Sequence, residues 1–349
     1  APLLPGIARA SGLGELKLLA WEGFTFEEEL KEYLAEKGID LAISAIASQD
    51  DVQIRLAGPT PTVVDVTSYN QGYAELYGRT LNIIQPLDEA RLPNYSAETI
   101  FPEFYHQPAW YWDGQLQGVV MGWGINCIVC NPAKVPEPAS YADLLKPEYA
   151  GQIAFVEDPL ANWPIFARLT GFGDKYPNVT RDELAQIFEG MKPWRDQSKV
   201  FAASIGDVIN LFVNGEIGVL FCGWSGIPVE TGAQGVETRY VVPAEGGAIW
   251  SDAFFIPSSA ENLDAAYAFI DGMIAPQAQA DHARLTLSGT INKAALPLMD
   301  DTTRALFDYD NLADLFARSP LPSIPPLASD EFATFDDWVQ ANTDFKVGF

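Results

Sequence analysis

Apolar residues in this chain fall in short runs that alternate with stretches of helical spacing. "LKLLAW" (16–21) reads as a buried strand, and "TFEEELKEYLAEKG" (25–38) repeats its apolar positions as a helix does. Phe26, Leu30, Tyr33 and Leu34 make one stripe there, Thr25 and Glu28 have the spacing of a capping box, and Gly38 supplies a C-terminal stop. "LAISAIAS" (41–48) and "TVVDVTSY" (62–69) read as the next strands. A second series opens near residue 125. "SYADLLKPEYAGQ" (140–152) predicts a short helix and a turn, "IAFV" (153–156) a strand, and "TRDELAQIFEGM" (180–191) a helix capped by Thr180 and Glu183. "DVINLFVNGE" (207–216) predicts a helix entering the strand "IGVLFC" (217–222), and "SAENLDAAYAFIDGMI" (259–274) an amphipathic helix. Beyond 300 the pattern is helical in patches around a "SPLPSIPP" linker (319–326). Strands alternating with helices predict an α/β protein with a largely parallel sheet, and 349 residues suggest about two domains.

One stretch breaks the apolar rule. In "EGGAIWSDAFFIP" (245–257) strand alternation puts Trp250 and Asp252 on one face and Ser251 on the other. A buried carboxylate costs several kcal/mol unless it is paired, so Asp252 calls for a basic residue of the protein or for a visiting cation. Open α/β sheets bind ligands beyond the carboxyl ends of their strands. Trp21 and Glu22, Ser68 and Tyr69, and Glu157 and Asp158 all stand at such ends.

Composition narrows the partners. Hydrophobic residues at 48% and charged at 19% are those of a soluble globular protein, and no apolar run approaches the roughly 20 residues of a membrane-spanning helix. The 47 acids against 21 bases give a net charge of −26, which repels phosphate backbones and argues against nucleic acid. The same field draws in small cations, although an acidic surface also serves solubility. Cys127 and Cys130 form a C-x-x-C, but strand residues three apart face opposite sides roughly 10 Å from each other, too far for a disulfide. With Cys222, His106 and His282 scattered elsewhere, the cysteines read as buried small residues, and no metal or cofactor is expected. The opening "APLLPGIARASG" lacks a basic region followed by an apolar one, as expected of an intracellular chain or of a secreted one whose signal peptide is removed.

Four stretches in order carry a resemblance to a known family: "LKLLAWEGF", "MGWGINCIVCNPAKVPEPASYADLLKPEYAGQIAFVEDP", "GEIGVLFCGWSG" and "PAEGGAIWSDAFFIPSSAENLDAAYAFIDGMIAP". Together they span about 15–275, and the chain resembles the bacterial polyamine-binding proteins, the periplasmic solute-binding components of ABC transporters for spermidine and putrescine. The resemblance implies a type II two-lobe α/β fold with a hinge between discontinuous lobes. One lobe would hold 1–124 plus 252–305, the other 125–251 plus 306–349, with a ligand cleft between them. It also implies a periplasmic or extracellular monomer whose closed form docks on an ABC transporter permease. Its ligand would be a small cationic amine such as putrescine or spermidine, with no catalytic residues. By position, Trp21, Trp224 and Trp250 would wall the cleft, Asp158 and Asp252 would bind amines, and Ser68 and Tyr69 would lie in a first-lobe loop.

The departures bear on the ligand. The family's second acid, three residues after Asp158, is Ala161, with Asn162 beside it. Phe24 stands where a tyrosine follows the first tryptophan, Glu22 replaces a small hydroxyl, and Ser288 and Thr290 stand in "LSGTIN" in place of a late tyrosine. The candidate ligand residues are therefore Trp21, Glu22, Ser68, Tyr69, Asp158, Trp224, Trp250, Asp252 and Ser288. Two other readings remain open. One is a receptor of the same fold for another solute, such as an amino acid derivative, an organic acid or an aminophosphonate, served by Arg55 or Arg79. The other is a glycosidase-like enzyme with tryptophan platforms and a carboxylate pair, although no hydrolase or phosphate-loop motif is present.

Overall fold

The computed structural model describes residues 12–46, 51–319 and 321–348. Its main sheet has two parallel wings joined by two long antiparallel strands. Across the sheet the order is Ile39–Ala45, Gly14–Ala20, Val66–Asn70, Ala248–Pro257, Val119–Cys130, Val219–Gly223, Ile153–Val156 and Ser198–Ala202. The first three strands pair in parallel, as do the last three, while Ala248–Pro257 and Val119–Cys130 run antiparallel to each other and to their outer neighbours. The strand expected at 41–48 ends at Ala45 within the described part, and positions 47 and 48 lie outside the described residues.

Each wing has its own hydrophobic core, and the two crossing strands pass from one core to the other. Ile125 packs in the first core and Ile128 in the second; on the partner strand Ala248 belongs to the second and Ile249 to the first. Near the C-terminus, Phe307, Leu312 and Leu315 pack in the first core, whereas Ala333, Trp338 and Phe345 pack in the second. Trp110, Trp123, Trp163 and Trp338 are fully buried, the packing role their surroundings dictate.

Local rules decide some elements and packing overrides them at others. The helix Arg181–Gln197 starts on the Thr180–Glu183 capping box, with both reciprocal bonds present. The first helix ends as expected, with Gly38 left-handed at φ 63°. Its start differs: it covers only Lys31–Lys37, no side chain caps it, and the Thr25–Glu28 box does not form. The cause is Phe26, which is fully buried at φ 55°. Its ring stacks on His282 at 4.0 Å and meets Phe254 edge-on at 5.9 Å, so the backbone leaves helical geometry to seat it. "SYADLLKPEYAGQ" likewise forms two short 3₁₀ turns, the first capped by the Ser140 hydroxyl, instead of one helix.

Candidate ligand cavity

A cavity of about 620 Å³ lies between the two cores, beyond the carboxyl ends of strands from both wings. Trp21 follows the strand Gly14–Ala20 and Tyr69 and Asn70 close Val66–Asn70; from the other wing Asp158 follows Ile153–Val156 and Trp224 follows Val219–Gly223. Parallel strands aim their terminal residues at a common edge, and here two such edges face each other. Trp250 and Asp252 enter from the crossing strand, on the face that alternation assigns them.

Among the described residues Asp252 has no cation. Its Oδ1 accepts a 3.2 Å hydrogen bond from Asn70 Nδ2, and none of the ion pairs among the described residues includes it. Asn70 is itself held, its Oδ1 accepting the Gly72 N–H at 2.9 Å. Burial raises the Asp252 carboxyl to about 6, with the Asn70 bond opposing the rise. On the opposite face Ser251 is fully buried, its N–H donating to Gln71 Oε1 at 2.6 Å.

Asp158 is both a wall of the cavity and the cap of a helix. Its Oδ1 accepts the Ala161 N–H at 3.2 Å at the start of Pro159–Leu169, and its Oδ2 accepts Asn126 Nδ2 at 2.9 Å. Burial raises its pKa against these two bonds. Aromatic rings cover the space between the two acids. Trp21 lies 6.0 Å from Tyr69, which is braced edge-on by Tyr73 and Tyr77 at 4.8 and 5.4 Å. The Trp250 indole covers Gly124, its direct cross-strand partner, where a Cβ would come within 2.6–2.7 Å of the ring. Glycine at 124 is what lets that ring lie flat on the sheet.

Six of the nine candidates line the cavity: Trp21, Tyr69, Asp158, Trp224, Trp250 and Asp252. Glu22, Ser68 and Ser288 do not. Glu22 is exposed, because the turn after Trp21 points it to solvent while Gly23 and Phe24 face inward. Ser68 alternates with Tyr69 and is buried on the other face of its strand. Ser288 is buried with its hydroxyl 2.7 Å from Thr286 Oγ1. The preceding helix ends in left-handed Leu287 (φ 52°), so Thr286 and Leu287 reach the cavity instead.

Sequence reading missed Asn70, Asn126 and Glu230. Asn126 is paired with Ala248 and Gly124 with Trp250, so all four share the cavity face. The alternation of small or polar Gly122, Gly124 and Asn126 with apolar Trp123, Ile125 and Cys127 was the available signal. Glu230, exposed on the helix Ile227–Ala233, is a third carboxylate of the cavity wall. Among the described residues, no lysine, arginine or histidine is part of that wall. Arg55 pairs with Asp51 at 2.8 Å, and Arg79 lies 3.9 Å from Asp113 and over the Trp112 ring. The three cysteines are free and buried.

The profile of the bacterial extracellular solute-binding proteins matches residues 29–306. The chain belongs to this family. It is 25% identical over 296 residues to the spermidine/putrescine-binding periplasmic protein of Salmonella typhimurium, covering 84% of this chain and 82% of that one. It is 26% identical over 310 residues to the putrescine-binding periplasmic protein of Escherichia coli, covering 83% and 81%. Among solved structures, the spermidine/putrescine ABC transporter substrate-binding protein of Streptococcus pneumoniae superposes with a TM-score of 0.78 at 21% identity, over 96% of this chain and 99% of that one. The fold is therefore the two-lobe α/β fold of periplasmic binding proteins. No helix among the described residues is long and apolar enough to cross a membrane.

Proposed function

We propose that this protein captures a polyamine or a similar small cationic amine between its lobes and delivers it to the permease of an ABC importer. The observation that carries this reading is a cavity whose described lining has three carboxylates and no basic side chain, and in which Asp252 is half-buried without a cation among the described residues. An ammonium would supply what Asp252 lacks, through a charge-assisted hydrogen bond of about 1.5–3 kcal/mol. Trp21, Trp224 and Trp250 would cover the alkyl chain and the charge, with cation–π contacts of about 0.5–2 kcal/mol. The names of the relatives support the same ligand class and a periplasmic location.

The lobes we assign are 1–124 plus 252–305 and 125–251 plus 306–349, with the crossing strands as hinge. Phe307, Leu312 and Leu315, at the head of the last segment, pack against the core of the first lobe. Closure follows from differential affinity: with Trp21 and Tyr69 on one lobe and Asp158 and Trp224 on the other, a ligand contacts both only when the cleft is shut. The chain would act as a monomer, without catalysis or cofactor. An anionic solute would meet carboxylates and, among the described residues, no counter-charge, which disfavours that alternative.

Isothermal titration calorimetry against putrescine, spermidine, agmatine and neutral and anionic controls tests the proposal. The expected result is micromolar or tighter binding of an amine, about −8 kcal/mol, with the amine recovered unchanged. Binding of an anionic control alone, or release of reducing sugar ends from an oligosaccharide, would overturn it.

A further inference from the structure

We infer that the cavity is matched to a short dication with one charged group at each end, and that Asn126 receives the end remote from Asp252. This rests on the amine-receptor reading above and adds the charge count and one recognition residue to it.

The first observation is an orphan atom. Asn126 lines the cavity and donates from Nδ2 to Asp158 Oδ2 at 2.9 Å, while its buried Oδ1 accepts no hydrogen bond. The orientation of the amide is fixed, because the flipped amide would set oxygen against a carboxylate oxygen. Buried acceptors of this kind are uncommon in native structures and call for a donor. Each Asp158 oxygen is engaged once, by Ala161 N–H or by Asn126, and retains a second lone pair. Asn126 Oδ1 and Asp158 together thus offer several acceptor sites carrying one negative charge, which suits one ammonium or one guanidinium.

The second observation is spacing and charge. Asn126 is paired with Ala248 and Gly122 with Asp252, so the two ends are four residues apart along one strand, about 13 Å. An extended four-carbon diamine measures about 6 Å between nitrogens, and a hydrogen bond of about 2.8 Å at either end gives a reach of about 12 Å. One ammonium cannot serve both ends, and a short dication can. Of the three carboxylates in the described cavity wall, Asp158 and Asp252 are half-buried and Glu230 is exposed. Two buried positive charges are therefore answered and a third is not, and an unanswered buried charge opposes binding.

Calorimetric titration of wild type with putrescine, cadaverine and agmatine, all dications, and with the trication spermidine tests this. At least one dication should bind tenfold or more tighter than spermidine. Asn126→Ala should weaken that dication fivefold or more. Ala161→Glu adds a carboxylate at a cavity-lining position in the first turn of its helix, and should narrow the dication-to-spermidine ratio at least fivefold. The ratio within Ala161→Glu remains a test if Asn126→Ala fails to fold. Spermidine binding as tightly as the best dication in wild type, or an unchanged dication affinity in folded Asn126→Ala, would overturn the inference and leave the receptor reading standing. Absence of binding by every amine would overturn both.

Discussion

Replacing Asp252 with asparagine separates the two consequences of desolvating a carboxylate that has no cation among the described residues. The change is nearly isosteric, and the new amide oxygen can still accept from Asn70 Nδ2. A carboxyl raised from 3.8 to about 6 by burial represents about 3 kcal/mol of unfavourable charge burial once it is ionised in both folded and unfolded chains. Ligand-free Asp252→Asn should therefore be more stable than wild type at pH 8, by up to about 3 kcal/mol. For a chain of this length that is roughly 3–6 °C in melting temperature. The sign with pH follows from the raised value: the folded state holds the proton that the unfolded state releases between about 4 and 6. The gap between variant and wild type should thus close as pH falls from about 7 to about 4. Amine binding should move the other way. The variant should lose about tenfold to a hundredfold in affinity at pH 8. Wild-type affinity should fall about tenfold per pH unit below 6, as protonation removes the charge the ammonium needs. Differential scanning calorimetry of the ligand-free proteins and titration calorimetry across pH measure both limbs. A ligand-free variant that melts no higher than wild type at pH 8 would mean that the protein supplies its own counter-charge. Undiminished amine affinity would remove Asp252 from the site.

Two further substitutions probe the scaffold. Gly124→Ala puts a methyl group 2.6–2.7 Å from the Trp250 ring, so the ring must lift from the sheet; overpacking costs about 1–3 kcal/mol. Amine affinity should drop several-fold with tryptophan fluorescence altered, and unchanged titrations would show that Trp250 does not cover the ligand. Arg168 donates from Nη1 to the Glu245 and Gly247 carbonyls, both at 3.0 Å, and so ties the helix that begins at Asp158 to the entry of the crossing strand. Arg168→Met should cost about 2–4 kcal/mol, from two charged hydrogen bonds and two orphaned carbonyls. A denaturant midpoint equal to wild type would refute that role.

Much of the fold was legible from local signals. The alternation of strands and helices, the capping box at Thr180, the stop at Gly38 and the strand at 153–156 depend on neighbours a few residues away, and these are written directly in the chain. So is the facing of Trp250 and Asp252, because a strand has only two faces. Tertiary structure overrode such signals where a side chain had a distant partner. Phe26 gave up helical geometry to stack on His282, about 250 residues on. Ser68 and Ser288 lay within one residue of cavity positions, yet one step along a strand or past a helix end turned each into the core. Glu230 carries no local mark of function, and the alternation around Asn126 marks a strand face without saying what that face meets. Both became part of a site only when two wings of the sheet, each coherent in pattern, were set facing each other. The sequence alone therefore determined the α/β elements, the acidic character and the aromatic–acid pair, since periodicity and composition are local properties. The sheet order, the cavity's full set of carboxylates and the orphan oxygen of Asn126 were decided only by the tertiary structure, because each depends on register and packing between residues far apart in the chain.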